Sequence, residues 1–222
     1  MPFDYRMTKK ELVAALVLLA VITASPALAE LFPDYDRSWV EFGMAAVMFF
    51  VTLAVFRRFL IEELRAFTRS LWSSIVSVFA GAFLYISASV LISALAGDAL
   101  YERAQNPITL LQLGMLERNP RPFVSASALL WPLSRETAFL GGVFGPVYNK
   151  NKALAWALSL AVFSAAQVWL SVYYDRNALV FALGYLPFAL GAAYAYRQSS
   201  SIWAAVFYEI MLNSFMIYTM IR

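Results

Sequence analysis

A small set of polar residues capable of acid–base or hydrogen-bond chemistry lies inside the oily C-terminal half of the chain. Ionisable groups are costly at membrane depth, so they usually mark a functional site or a mutually paired cluster. Glu209 and Asn213 are four residues apart and therefore share one face of a helix. The whole set, drawn from three segments, is Arg135, Glu136, Gln167, Glu209 and Asn213, with Ser164 nearby. We expect it to form either a chemical or transport site, or a buried polar contact that fixes helix register.

The amino-acid composition indicates whether the chain lies in water or in a membrane, and it excludes several kinds of catalytic chemistry. The 222 residues are 62% hydrophobic and 14% charged, whereas a soluble domain carries about 25% charged residues. The chain has no cysteine and no histidine, which excludes Ser-His and Cys-His catalysis and His-ligated zinc. We therefore expect a membrane protein with no cofactor and no metal. The net charge of +3 fits basic loops on one membrane face, and no nucleic acid partner is expected.

The hydropathy pattern predicts an all-α fold, a polytopic transmembrane helical bundle with about seven spans. Pro132 interrupts the fourth span, which could be a short helix followed by a second one; such a break needs protein or water to satisfy the freed backbone groups. The predicted spans run over Leu12–Ala29, Val40–Phe56, Leu71–Leu95, Phe123–Tyr148, Ala153–Tyr173, Ala178–Tyr196 and Ile202–Ile221.

Basic residues predict the orientation. Ten of the 17 lysines and arginines lie on the same side as the N-terminus, which places the N-terminus in the cytoplasm. The apolar first segment ends in Ala27-Leu28-Ala29, which is similar to a signal-peptidase site, but we favour a retained helix. We expect a multi-pass protein of a bacterial plasma (inner) membrane.

The chain divides into two regions of one membrane domain. Residues 1–122 contain N-terminal transmembrane helices, and the basic stretch "RRFLIEELRAFTRS" there is either a cytoplasmic interfacial helix or a plain juxtamembrane connector. Gly97–Pro122 is expected to be an external loop. Residues 123–222 form a four-helix core. Glycines in that core, such as Gly141 and Gly191, would allow close helix approach, and internal packing is the favoured use.

Three short motifs in the core share their order and spacing with a known family. They are "RETAFLG" from Arg135, "FSAAQ" from Phe163 and "EIMLN" from Glu209. They resemble the E-E-x-x-x-R-G, F-x-x-x-H and H-x-x-x-N motifs of the CAAX protease and bacteriocin-processing (CPBP, or Abi) intramembrane proteases. The glycine-rich run from Leu183 to Trp203 fits the same pattern. The resemblance covers about residues 123–222 and implies a CPBP-like four-helix core.

The departures from the family pattern predict a degenerate member. The resemblance implies that the first glutamate and the first histidine activate water, and that the second histidine and the asparagine stabilise an oxyanion. Arginine is always protonated and cannot act as a base, and glutamine cannot accept a proton from water. Of six signature polar positions, Glu136 and Asn213 are kept, while the others hold Arg135, Leu140, Gln167 and Glu209.

Three functions remain open at this point. The first is a pseudoprotease that scaffolds or regulates another membrane protein, or binds a hydrophobic peptide or lipidated segment. In it, Arg135 and Glu209 form a buried ion pair, and Gln167 and Asn213 complete its hydrogen bonds. The second is a re-wired protease in which Glu136 and Glu209 share a proton and activate water, with Asn213 as a further candidate catalytic residue. The third is proton-coupled transport.

Overall fold

The computed structural model describes residues 4–96 and 107–221, and these residues form helices and no strand. Four helices precede the gap: α1 (Lys9–Ala29), α2 (Arg37–Val55), α3 (Arg57–Arg69) and α4 (Leu71–Ala96). Of the predicted external loop, residues 97–106 lie outside the described residues, and the following stretch is not a loop but α5 (Pro107–Arg118). The remaining long helices are α9 (Lys152–Tyr174), α10 (Phe181–Ser199) and α11 (Ile202–Ile221), with a 3₁₀ turn at Arg176–Val180.

The prediction of an all-α membrane bundle is confirmed. Six helices of the described chain are long and apolar enough to cross a bilayer, namely α1, α2, α4, α9, α10 with its preceding 3₁₀ turn, and α11. Polar side chains cap the N-termini of several of these helices. Thr8 and Glu11 form a capping box at α1, and Asp36 and Asn151 cap the first turns of α2 and α9.

The fourth predicted span, which is not among these six helices, is helical but irregular. Residues 120–148, called the central helix below, comprise α6 (Pro120–Val124), α7 (Trp131–Glu136) and α8 (Gly145–Tyr148), joined by π-helical turns at Ser125–Leu130 and Thr137–Phe144. The expected interruption at Pro132 does not separate two helices. The Trp131 N–H bonds to the Ala126 carbonyl five residues back, so the π turn lies just ahead of the proline and the helix continues through it.

Glycines bring α4 and α10 into close contact near the middle of the bundle. A Cβ atom added at Gly191 would lie 2.6 Å from the Gly81 carbonyl oxygen and 2.3 Å from the Tyr208 hydroxyl. Neither position therefore tolerates a side chain without movement of its neighbours. One hydrophobic cluster runs from Met7 to Leu212 and draws on both the 1–122 and the 123–222 regions. The N-terminal helices thus pack against the core on both sides of the polar site.

The stretch after α2 is helical, as one of the two alternatives predicted. In α3, Glu63 is fully buried and accepts hydrogen bonds from the Ile202 N–H at 2.6 Å and from Arg6 Nη1 at 2.9 Å. Arg6 also donates to the Ser200 carbonyl at 2.9 Å. Ser200 has a positive φ of 53° and ends α10 in the left-handed conformation. These contacts join α3 to the N-terminal residues and to the turn between α10 and α11.

Candidate functional site

Arg135 and Glu209 form the ion pair that the sequence predicts. Arg135 lies in α7 of the central helix and Glu209 in α11, and Arg135 Nη1 is 2.8 Å from Glu209 Oε1. The Glu209 side chain is 0% exposed and that of Arg135 is 20% exposed. A buried carboxylate without a partner is strongly unfavourable, so the arginine compensates the charge that α11 carries into the core. The pair joins the central helix to α11.

Glu136 is the second buried carboxyl group of the site. Its residue is 1% exposed, and its carboxyl group lies close enough to that of Glu209 for the two to interact electrostatically. Within the described part of the chain, neither Glu136 oxygen has a hydrogen-bond donor, and Glu209 Oε2 has none either. The three side chains therefore form a compact triad of one guanidinium and two carboxyl groups.

Asn213 extends this triad along α11. Its Nδ2 donates to the Ser127 carbonyl in a π-helical turn at 2.8 Å and lies 3.4 Å from Glu209 Oε1. Asn213 therefore ties the carboxylate to the backbone of the central helix. The extra residue in each π turn changes which side chains face inward, so the irregular helix helps to bring Ser127 and Glu136 to the same helix, α11.

Gln167 and Ser164 in α9 do not join this hydrogen-bond network. The prediction that Gln167 completes the donors and acceptors of the ion pair is wrong: among the described residues it makes no hydrogen bond to Arg135 or Glu209. Ser164 Oγ is buried and has no partner there. Open space lies between Gln167 and the ion pair, and the side chains of Gln167 and Arg135 both line it.

Two cavities meet at Arg135 and Gln167. The first, of about 210 Å³, lies where α1 ends, α2 begins and α9 ends, and its lining is rich in polar side chains. The second, of about 250 Å³, lies between α4, α9, α10 and α11, with aromatic and aliphatic side chains on part of its wall and polar side chains on the rest. Both cavities are lined by Gln112, Phe123, Ser127, Arg135 and Gln167. The sequence pattern singled out Arg135 and Gln167. It gave no signal for Gln112, a polar residue with apolar neighbours in the sequence of α5.

The two buried glutamates do not contribute to the surface of either cavity. Neither cavity is lined by Glu136 or Glu209, whereas Arg135 and Gln167 line both. The carboxylates that do line the first cavity are engaged: Glu41 pairs with Arg37 at 3.2 Å, and Glu30 accepts from the Tyr174 hydroxyl at 2.9 Å. Over residues 4–96 and 107–221, no three Asp or Glu side chains converge as metal ligands would. The cavities thus present hydrogen-bond donors and amides at their junction.

Comparison with known proteins identifies the C-terminal part of the chain. Residues 117–215 match the family model described as type II CAAX prenyl endopeptidase Rce1-like. Over this segment, the chain is similar to the Rce1-like family. The matched segment is slightly under half of the chain and includes every residue of the triad. No curated protein and no solved structure matches the chain.

The match confirms the family resemblance that the three motifs indicated. Rce1-like proteins belong to the CPBP group, and the matched segment begins just before the central helix and ends in α11. The proposed catalytic roles of Glu136, Glu209 and Asn213, and the loss of catalysis, stay predictions.

Proposed function

We infer that this chain is a non-cleaving Rce1-like membrane protein that holds a partner transmembrane segment or a hydrophobic peptide. It would act as a scaffold or assembly subunit in a bacterial plasma membrane. The observation that carries this inference is the Arg135–Glu209 ion pair, with the cation at the position where the family pattern has its first glutamate. The family resemblance supplies the class of partner, since related proteins act on peptides and lipid-modified tails.

The ion pair removes the means of activating water. A general base must accept a proton near neutral pH and must reach the water that it activates. Arg135 holds its proton, and Gln167 has an amide that orients water without accepting its proton. These are the two residues at the positions that the family resemblance assigns to water activation. The polar groups at the junction of the cavities can therefore bind and orient a water molecule but cannot take a proton from it.

The position of the remaining carboxyl groups supports the same function. Glu209 is held by Arg135, and Glu136 lines neither cavity and lies near Glu209. Replacing a catalytic set by an oppositely charged pair preserves helix packing, because each buried charge keeps a partner. The fold would thus be retained for binding while the chemistry is lost.

One observation favours the re-wired protease as a second candidate. Glu136 and Glu209 are both buried and interact electrostatically, and a proton-sharing carboxyl pair for water activation needs two such neighbouring groups. In that mechanism a water would have to reach the pair, and Arg135 would have to release Glu209 or stabilise the oxyanion beside it. The buried position of both carboxyl groups is unfavourable for this route, so it ranks second.

A peptidase assay separates the two functions. The purified protein is placed in proteoliposomes with a set of fluorescence-quenched hydrophobic peptides, and fluorescence is followed for wild type and Glu136→Gln. The scaffold function predicts the same background rate for both proteins. Cleavage by wild type that Glu136→Gln abolishes, and that the exposed-site control Glu62→Gln keeps, would establish the protease.

A further inference from the structure

The second cavity reaches the protein surface between α4, α10 and α11. Its wall includes Tyr85 from α4, Gly184 from α10 and Met220 from α11, three helices that are long and apolar enough to span a membrane. Gly184 and Met220 are exposed on the protein surface. A ligand could therefore enter sideways from the bilayer. The entrance lies within the spans, where hydrocarbon chains are the surrounding solvent.

The inner end of this cavity is lined by the hydrogen-bonding side chains of Arg135 and Gln167. An arginine has five N–H donors, and Arg135 uses Nη1 for Glu209. The Arg135 side chain is 20% exposed and lines this cavity, so part of its guanidinium group faces the open space. Gln167 lines the same space and contributes a further amide donor. Because such donors gain from an acceptor in a space of low polarity, this end of the cavity favours a ligand or a water that brings an acceptor oxygen.

The charges around Arg135 favour a neutral acceptor over an anion. Glu209 already balances the guanidinium, and the buried carboxyl group of Glu136 lies near Glu209. On the side of the first cavity, Arg37 and Glu41 are paired with each other. A ligand carboxylate bound at Arg135 would lie near the two buried carboxyl groups of Glu136 and Glu209. Among the described residues of the site, no unpaired cation would balance its charge. A carbonyl oxygen accepts the same hydrogen bonds without that repulsion.

The apolar part of the cavity suits a hydrocarbon chain better than a peptide. It is lined by side chains such as Phe163, Phe188, Met216 and Ile217 on helices whose backbone groups are bonded within each helix. A peptide backbone there would leave its own polar groups without partners. At about 250 Å³ the cavity exceeds the roughly 150 Å³ that is enough to hold benzene. An acyl chain fits both the size and the polarity.

We propose that this cavity binds an acyl lipid of the bilayer, with the ester carbonyl at Arg135 and Gln167 and the chain between α4, α10 and α11. The polar head would extend into the first cavity, which joins the second at the same two residues. This site goes beyond the scaffold function and is independent of whether the chain cuts peptides. It assigns a use to the open Arg135 donors, which the ion pair leaves unexplained.

Native mass spectrometry of the purified protein in nanodiscs tests the proposal with two matched probes. The probes are decanoyl monoacylglycerol and decyl glyceryl ether, which differ in the ester carbonyl. Wild type should bind the ester at least about tenfold more tightly, as expected for one hydrogen bond to a charged donor. Gln167→Leu should reduce this preference. Equal binding of ester and ether by wild type would overturn the assignment of the carbonyl.

Two glycine variants locate the bound chain. A side chain at Gly184 meets nothing within 4 Å, so Gly184→Leu should fill the cavity mouth without disturbing the fold and should abolish binding of both probes. Gly43→Leu is the control, because Gly43 is equally open, exposed on α2 and outside both cavities. Full binding by Gly184→Leu would overturn the location. Tighter binding of decanoate than of the ester would show an anion site and overturn the neutral-acceptor assignment.

Discussion

At the scale of single residues, the site is governed by charge compensation in a low-dielectric core. Arg135 and Glu209 occupy positions where the family pattern has a glutamate and a histidine, and the two changes make sense together because they produce an ion pair at 2.8 Å. Each change alone would leave a buried charge without a partner, which costs several kcal/mol. The pair gives the chain a structural reason to keep these two ionisable groups in the core.

A double-mutant cycle measures this compensation. Arg135→Ala and Glu209→Ala should each destabilise the protein by roughly 3–5 kcal/mol, because each leaves the other charge buried and unpaired. The double variant should lose clearly less than the sum of the two. Thermal melts in detergent of the wild type and three variants give the coupling. Additive losses would contradict the ion pair as the reason that both residues are present.

The ion pair could be predicted from the sequence, because the spacing of the motifs and the opposite charges of the two residues are both visible there. Arg135 and Glu209 belong to motifs whose positions are known to converge in the family, and opposite charges at converging positions attract. The role of Gln167 was not predictable in the same way. Whether an amide reaches its neighbour or lines a cavity depends on a few ångströms of helix placement, which the irregular central helix sets. No sequence signal indicated the two cavities.

At the scale of helices, α3 and the N-terminal residues form a polar contact that the sequence did not reveal. Glu63 is buried under Arg6 and accepts from Ile202, while Tyr5 donates to the Gly141 carbonyl at 2.9 Å. In the sequence, Glu63 lies next to Glu62 in a strongly charged segment, and nothing there distinguishes a buried from an exposed glutamate. The partner that buries Glu63 comes from residues more than 50 positions away.

Glu63 gives the protein a testable pH dependence. Burial, opposed by the Ile202 hydrogen bond and Arg6, raises the pKa of Glu63 from 4.5 to about 7. Asp4 contributes to the increase, and Tyr196 also faces this carboxyl group. The folded protein therefore binds a proton that the unfolded chain releases between these pH values. This group's contribution to stability is present below pH 4.5 and decreases as the pH rises through about 7, by roughly 3 kcal/mol in total.

Glu63→Gln should remove this contribution. The fall in melting temperature between pH 5 and pH 8 should be smaller in Glu63→Gln than in wild type, whatever the absolute stability of the variant. Glu62→Gln, which changes the neighbouring glutamate that pairs with Arg58 on the exposed face of α3, should keep the wild-type slope. An unchanged slope in Glu63→Gln would show that Glu63 does not titrate in this range.

The crossing of α4 and α10 offers a second test at this scale. Gly191→Ala should destabilise the protein by about 1–3 kcal/mol, because its Cβ would meet the Gly81 carbonyl and the Tyr208 hydroxyl. Gly184→Ala on the same helix has open space and should be neutral or stabilising by up to about 1 kcal/mol, through improved helix propensity. Detergent melts of the two variants compare them directly. Equal stability would contradict the close crossing.

At the scale of the whole molecule, the sequence predicted the helices more accurately than their irregularities. The spans beginning at Leu71 and Ile202 start where they were expected, because hydrophobic length and flanking polar residues define a span. The π turns of the central helix were not predictable from Pro132. They depend on contacts with α1, α2 and α11, which the sequence pattern does not encode locally. The same irregular helix carries Arg135 and Glu136, so the least predictable element positions the site.

The whole molecule thus combines an Rce1-like segment, N-terminal helices packed on both sides of its site, and a charge-compensated centre. Such a molecule can hold a membrane segment without releasing a product. The proposed function requires a partner that stays whole and stays bound. The relevant evidence is the state of that partner when the protein is isolated.

Intact-mass spectrometry of the complex isolated in gentle detergent tests this claim most directly. The account predicts one stoichiometric membrane polypeptide of full length, with the same mass in wild type and in Glu136→Gln. A partner that is clipped in wild type and full-length in Glu136→Gln would contradict it, because that result requires Glu136 to take part in cleavage.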